Sequence, residues 1–142
     1  MYKFYNNNSL GNYVNDCTIR AISLAEGNSW DYTYNKMSDI AQSKGTMMDD
    51  RDFIRWYLDT NYKRLPKPYG TVGMIAGEYP DKTLLITMNG HITCSKDGVV
   101  YDSFDCRRRE VEDVWMVNWL FKWNMLYYIC LVGVTEYSCL AR

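Results

Sequence analysis

The stretch Asn15-Asp16-Cys17-Thr18-Ile19-Arg20-Ala21-Ile22-Ser23-Leu24-Ala25-Glu26 decides how the rest of the chain reads. Ile19 and Ile22, followed by Ala25 or Glu26, recur at helical spacing, which predicts a helix that buries one face and holds Cys17 rigidly in its first turn. Asn15 or Asp16 is the expected N-cap, because either side chain can accept a bond from an orphan backbone N–H of that turn. A thiol at this position feels the positive end of the helix dipole, which favours the thiolate and lowers its pKa.

The 142 residues support one domain over 1–142, long enough to bury a sizeable core. The net charge of −1 carries no basic footprint and argues against nucleic acid as a partner. Arg107-Arg108-Arg109 reads as a solvated turn. The five cysteines, Cys17, Cys94, Cys106, Cys130 and Cys139, are odd in number and show no Cys-x-x-Cys spacing. With a single histidine beside them, neither a metal nor a cofactor is expected. The polar, Asn-rich start lacks the apolar core of a secretory signal, so free thiols in a reducing cytoplasm are the expected state.

Residues 1–14 read as extended or irregular, with Asn6-Asn7-Asn8-Ser9 and Gly11-Asn12 as turn material. The cysteine helix should end at Gly27-Asn28 with glycine as a left-handed C-cap. Ser29 caps a second helix with Trp30, Tyr34, Met37, Ile40 and Ala41 on its apolar stripe, closing at Lys44-Gly45. Asp49 or Asp50 caps a third, carrying Phe53, Ile54, Tyr57 and Leu58 and ending near Asn61. Pro66 and Pro68 mark a connection, and residues 71–76 suit a short helix. The period then changes: 83–88, 91–95 and 99–104 read as strands, with Asn89-Gly90 and Lys96-Asp97-Gly98 as turns. Helices first and an antiparallel sheet afterwards predict an α+β domain. The aromatic segment 114–142 contains a run, 114–134, long enough to raise a membrane span. Asn118, Lys122 and Asn124 inside it are costly in hydrocarbon. Two aromatic strands, 114–119 and 127–134, that complete the sheet explain it better and offer a surface for pairing two copies.

The lone histidine, His91, and Asp102 are the polar residues that hairpin geometry ties together. With Lys96-Asp97 as the two-residue loop, Ser95 pairs with Gly98 and His91 faces Asp102, their β-carbons about 5 Å apart. A bulge would shift the pairing and bring Asp105 into consideration. A carboxylate so placed fixes the imidazole tautomer and leaves the other ring nitrogen for a thiol. Cys94 should point to the opposite face, and Cys106, Cys130 and Cys139 have no base near in sequence. A thiol nucleophile also needs an oxyanion hole, its own backbone N–H plus one side-chain donor. Asn12 is preferred for the second donor, since Asn15 is a candidate cap.

Asn15-Asp16-Cys17-Thr18-Ile19-Arg20-Ala21-Ile22, Gly90-His91-Ile92-Thr93 and Gly98-Val99-Val100-Tyr101-Asp102-Ser103 together resemble the papain-like cysteine peptidases encoded by bacteriophages. They are also similar to the bacteriocin-processing peptidases, whose nucleophile follows an Asp and opens a helix. The resemblance covers about residues 12–110 and excludes the tail. It implies a papain-like α+β fold with Cys17 as nucleophile, His91 as base and Asp102 as orienting acid. It also implies cleavage of a peptide or isopeptide bond in a protein and, for a phage product, location in the host cytoplasm. One position departs from the pattern. The processing peptidases carry a Gln six residues before the nucleophile, where this chain has Gly11. Either Asn12 substitutes or the oxyanion hole is incomplete. Two rivals stand beside the peptidase reading: a deamidase or transglutaminase-like acyl transferase with the same triad, and an inactive papain-like protein that binds a host defence component.

Overall fold

Capping chemistry sets the helices of the computed structural model, which describes residues 1–117. Helix α1 spans Cys17–Glu26 and ends on Gly27 at φ 70°, where the N–H groups of Gly27 and Asn28 return to Leu24 and Ser23 carbonyls. Only a residue without a β-carbon takes that left-handed turn at no cost. Helix α2, Trp30–Ser43, starts where Ser29 accepts from the Tyr32 N–H, and α3, Arg51–Asn61, where Asp50 accepts from the Phe53 N–H. Thr71 does the same for the short α4, Val72–Glu78, through the Met74 N–H.

Among the described residues six strands form one sheet in the order β1-β5-β4-β3-β6-β2: β1 Tyr2–Phe4, β2 Lys63–Arg64, β3 Thr83–Met88, β4 His91–Lys96, β5 Val99–Asp102 and β6 Asp113–Val117. The α+β class stands, but the sheet is mixed rather than antiparallel. Residues 2–4, in a stretch expected to be extended or irregular, lie parallel to β5 (Tyr2 beside Val100, Phe4 beside Asp102). The two-residue β2 pairs with β6. The start of the aromatic segment, Val114–Val117, sits inside the sheet against β3. The remainder of the strand expected over 114–119, the strand expected over 127–134, Cys130, Cys139 and the pairing surface of the tail lie outside the described residues. Among the described residues no helix is long and apolar enough to cross a membrane.

The centre of β3, Leu84-Leu85-Ile86, is an unbroken apolar run because both its faces are covered. Leu85 joins Ile92, Cys94 and Trp115 beneath α1, α2 and α3, where Ile22, Met37 and Leu58 are fully buried. Leu84, Ile86 and Met88 face the other way, onto Val72, Ile75 and Ala76 of α4. The buried stripe of α2 is Thr33, Met37 and Ala41, with Trp30 and Ile40 partly buried; Tyr34, expected on it, is 39% exposed.

The β4–β5 hairpin also differs from expectation. Its loop is Asp97-Gly98, both left-handed (φ 53° and 77°), and Ser95 pairs with Val100 and Lys96 with Val99. Two left-handed residues match the twist of the flanking strands, whereas Lys96 stays extended and paired. The register therefore moves the position opposite His91 by two, from Asp102 to Phe104 past the end of β5, and Asp102 becomes a diagonal neighbour. A shift of two preserves the face, so the two side chains remain on one side.

Candidate functional site

Three elements converge at one end of the sheet: the start of α1 with Cys17, the start of β4 with His91, and the end of β5 with Asp102. The turn Asn89-Gly90, with Gly90 at φ 68°, closes the β3–β4 hairpin and delivers His91 opposite Met88. His91 Nε2 lies 2.7 Å from Asp102 Oδ2, with the carboxylate side chain only 2% exposed. An ionised carboxylate only accepts, so Nε2 carries the proton and Nδ1 is left for the thiol.

The electrostatics follow from these contacts. Burial, the largest influence on His91, disfavours the imidazolium. Bonds to Asp102 and Cys17 and the charges of both outweigh it and raise the pKa to about 9. Burial likewise works against the Cys17 thiolate, but the His91 side chain, the Ile92 backbone amide and the positive charges of His91 and Arg20 prevail and lower its pKa. For Asp102, burial raises the pKa and is outweighed by His91, Thr93 and the Ser103 amide, so it lies below the ordinary carboxylate range. The thiol is acidified, the imidazole made basic and the carboxylate kept charged, as a proton relay from sulfur to nitrogen requires.

Cys17 and His91 open into a cleft of about 250 Å³ whose walls include Asn15, Ile54, Gly90 and Trp115. Asn12 is exposed on the preceding loop, its backbone carbonyl accepting from Asn6 Nδ2 (3.2 Å), and it does not line the cleft; Asn15 does. Asp16 occupies the N-cap position without making a side-chain cap bond. Its carboxylate is drawn instead to the Arg20 guanidinium and to Trp30 Nε1–H (2.8 Å). Asp105 is held at Arg107 on the surface, whose bonds bring its carboxyl down to about 2, and is not brought to His91. Cys94 lies in the core under α1, its thiol pushed by burial to about 12.

Two participants are not evident from sequence. Arg20 reaches Asp102 Oδ1 (3.3 Å), and Cys106 S–H donates to Asp102 Oδ2 (3.6 Å). The four-residue spacing of Asp16 and Arg20 signals their pairing; nothing local signals the link from Arg20 to Asp102. Burial and the Asp102 charge raise the Cys106 thiol to about 11, so it stays protonated as a donor. One side-chain N, O or S atom from each of His91, Asp102 and Cys106 lies within 4.8 Å of the others, a spacing these hydrogen bonds set. Set against known proteins, the chain matches no protein-family model, no curated protein and no solved structure.

Proposed function

We propose that this protein is a thiol hydrolase of papain-like fold that cleaves a peptide or isopeptide bond in a protein, in the cytoplasm of a phage-infected host. The observation that carries the reading is the His91–Asp102 bond of 2.7 Å at the mouth of the helix that begins with an acidified Cys17.

In the reaction, Cys17 Sγ passes its proton to His91 Nδ1 and attacks the carbonyl carbon. The C=O pair moves onto oxygen to give a tetrahedral oxyanion. N–H groups in the first turn of α1 have no acceptor within the helix and suit that oxyanion, with the amide of Asn15, which lines the cleft, as the side-chain donor. As the oxyanion collapses, the C–N bond breaks and the imidazolium protonates the leaving amine. Water, deprotonated by His91, then attacks the thioester, and Cys17 leaves as the thiolate. Asp102 keeps the imidazole in one tautomer throughout and compensates its positive charge.

The test is the pH dependence of iodoacetamide alkylation at each cysteine, read by peptide mass spectrometry, with His91→Ala alongside. Cys17 should react fast below about pH 7 and lose that advantage in the variant. A Cys17 that reacts like an ordinary thiol in the native chain overturns the proposal. A peptide library then reads the chemistry: hydrolysis gives new termini, whereas deamidation adds about one mass unit per site through the same acyl-enzyme.

A further inference from the structure

Among the described residues Arg20 is the sole buried Lys or Arg, 7% exposed. It lies three residues after Cys17 and carries its charge between two buried carboxylates, Asp16 and Asp102. Buried charges of this kind add little net stability, because desolvation offsets most of their attraction. A role in placing other groups accounts for the arrangement better.

The division of labour on Asp102 shows what is placed. Oδ1 is occupied by Arg20 Nη2 (3.3 Å) and the Ser103 backbone N–H (2.7 Å), so Oδ2 is the oxygen presented to His91. At its other edge the guanidinium holds Asp16, the residue just before Cys17, and Asp16 in turn is anchored by the Trp30 indole of α2. One line of contacts thus runs from α2 through the start of α1 to the end of β5 and on to His91. The fork of an arginine can bridge two carboxylates in fixed geometry; the point charge of a lysine cannot.

We propose that Arg20 is a positioning residue: it aims Asp102 Oδ2 at His91 and ties the Cys17 end of α1 to the sheet, and so sets the thiol–imidazole pair. The consequence for turnover rests on the hydrolase reading, but the pair is measurable without any substrate. Among the described residues the groups that act on His91 are Asp102 on β5 and Cys17 on α1, with Arg20 and Cys106 reaching it through Asp102.

His91 is the only histidine, so its ring protons give an unambiguous NMR titration. The experiment records that titration and the alkylation midpoint of Cys17 for the native chain and for Arg20→Gln, Arg20→Lys and Asp16→Asn, each with a thermal melt. Positioning predicts that Arg20→Gln lowers the His91 midpoint from about 9 by a full pH unit or more, as Asp102 swings away. It also predicts about tenfold slower Cys17 alkylation at pH 7. Arg20→Lys should restore only part of either, and Asp16→Asn should move both in the same direction less far.

If Arg20 acted only by its charge, removing it would leave Asp102 unshared and raise the His91 midpoint, with Arg20→Lys behaving as native; that result overturns the proposal. So does a lower melting temperature with both midpoints unmoved. Should Arg20→Gln fail to fold, the two milder variants decide by the same criteria. A native His91 that titrates near 6.5 sinks the hydrolase reading and this one with it. A native value near 9 that ignores every Arg20 variant sinks this one alone.

Discussion

Replacing Asp102 by Asn tests the electrostatic core of the site with the smallest change in shape. The carboxylate side chain is 2% exposed and 2.7 Å from His91, whose own side chain is 9% exposed, so water screens their interaction weakly. In the folded chain His91 titrates near 9 against an ordinary 6.5, even though burial alone would push it the other way. That gap of about 2.5 pH units, at about 1.4 kcal/mol per unit, corresponds to about 3 kcal/mol favouring the imidazolium. Asn removes the carboxylate charge and leaves Cys17 as the remaining support. His91 should therefore titrate well below its native value, moving toward 6.5, and a ring protonated at pH 7.5 in the native chain should become mostly neutral. The assay is the NMR titration of the single histidine, with circular dichroism to establish that the variant is folded. A folded Asp102→Asn chain whose His91 still titrates within about half a unit of 9 would refute the claim that this carboxylate sets the imidazole.

Two further expectations concern the fold that carries the site. Glu26, at the far end of α1, is 7% exposed and accepts from Tyr57 OH (3.1 Å), Tyr62 OH, Lys36 Nζ (3.0 Å) and Asn28 Nδ2 (3.1 Å). Glu26→Gln should cost about 2–4 kcal/mol in urea unfolding while leaving the alkylation midpoint of Cys17 unchanged; an unaltered urea midpoint would contradict it. Cys94 has its folded pKa raised from 9.0 to about 12 by burial, so its contribution to stability is complete below about pH 9 and is lost as pH rises toward 12. By pH 11 the loss should reach about 3 kcal/mol. Cys94→Ala should give a visibly flatter decline in unfolding free energy between pH 9 and 11, and a decline as steep as native would refute the assignment.

The parts of the fold legible from sequence are those decided within a few residues. Gly27 ends α1 and Ser29 opens α2 because each cap involves only neighbouring backbone groups. β1 was not legible: three residues with two exposed side chains carry no alternating pattern, and only the free edge of β5 makes them a strand. The hairpin register failed on a finer point. Asp97-Gly98 tolerates two left-handed residues and Lys96-Asp97 does not, so the register is carried by the turn dipeptide itself. On α2 the helical period was read correctly, but a polar Thr33 fills the buried position while Tyr34 turns outward.

The site shows the same boundary from the side of chemistry. Cys17, His91 and Asp102 are legible because thiol, imidazole and carboxylate are the residue types such chemistry needs, in a recognisable order. Arg20 is not legible as a site residue because the partner its spacing offers is Asp16, four residues before it, and nothing local points to Asp102. Burial changes that count. Asp16 also holds the Trp30 indole, and Asp102 lies at the sheet's end with His91 on one oxygen. Each of these buried carboxylates requires donors on both oxygens, and a guanidinium with five N–H groups serves both from one position. A cation on a helix of otherwise apolar stripe, one turn beyond a candidate nucleophile, is thus a reason to look for a second carboxylate distant in sequence. In this chain that carboxylate is Asp102, the one bonded to His91.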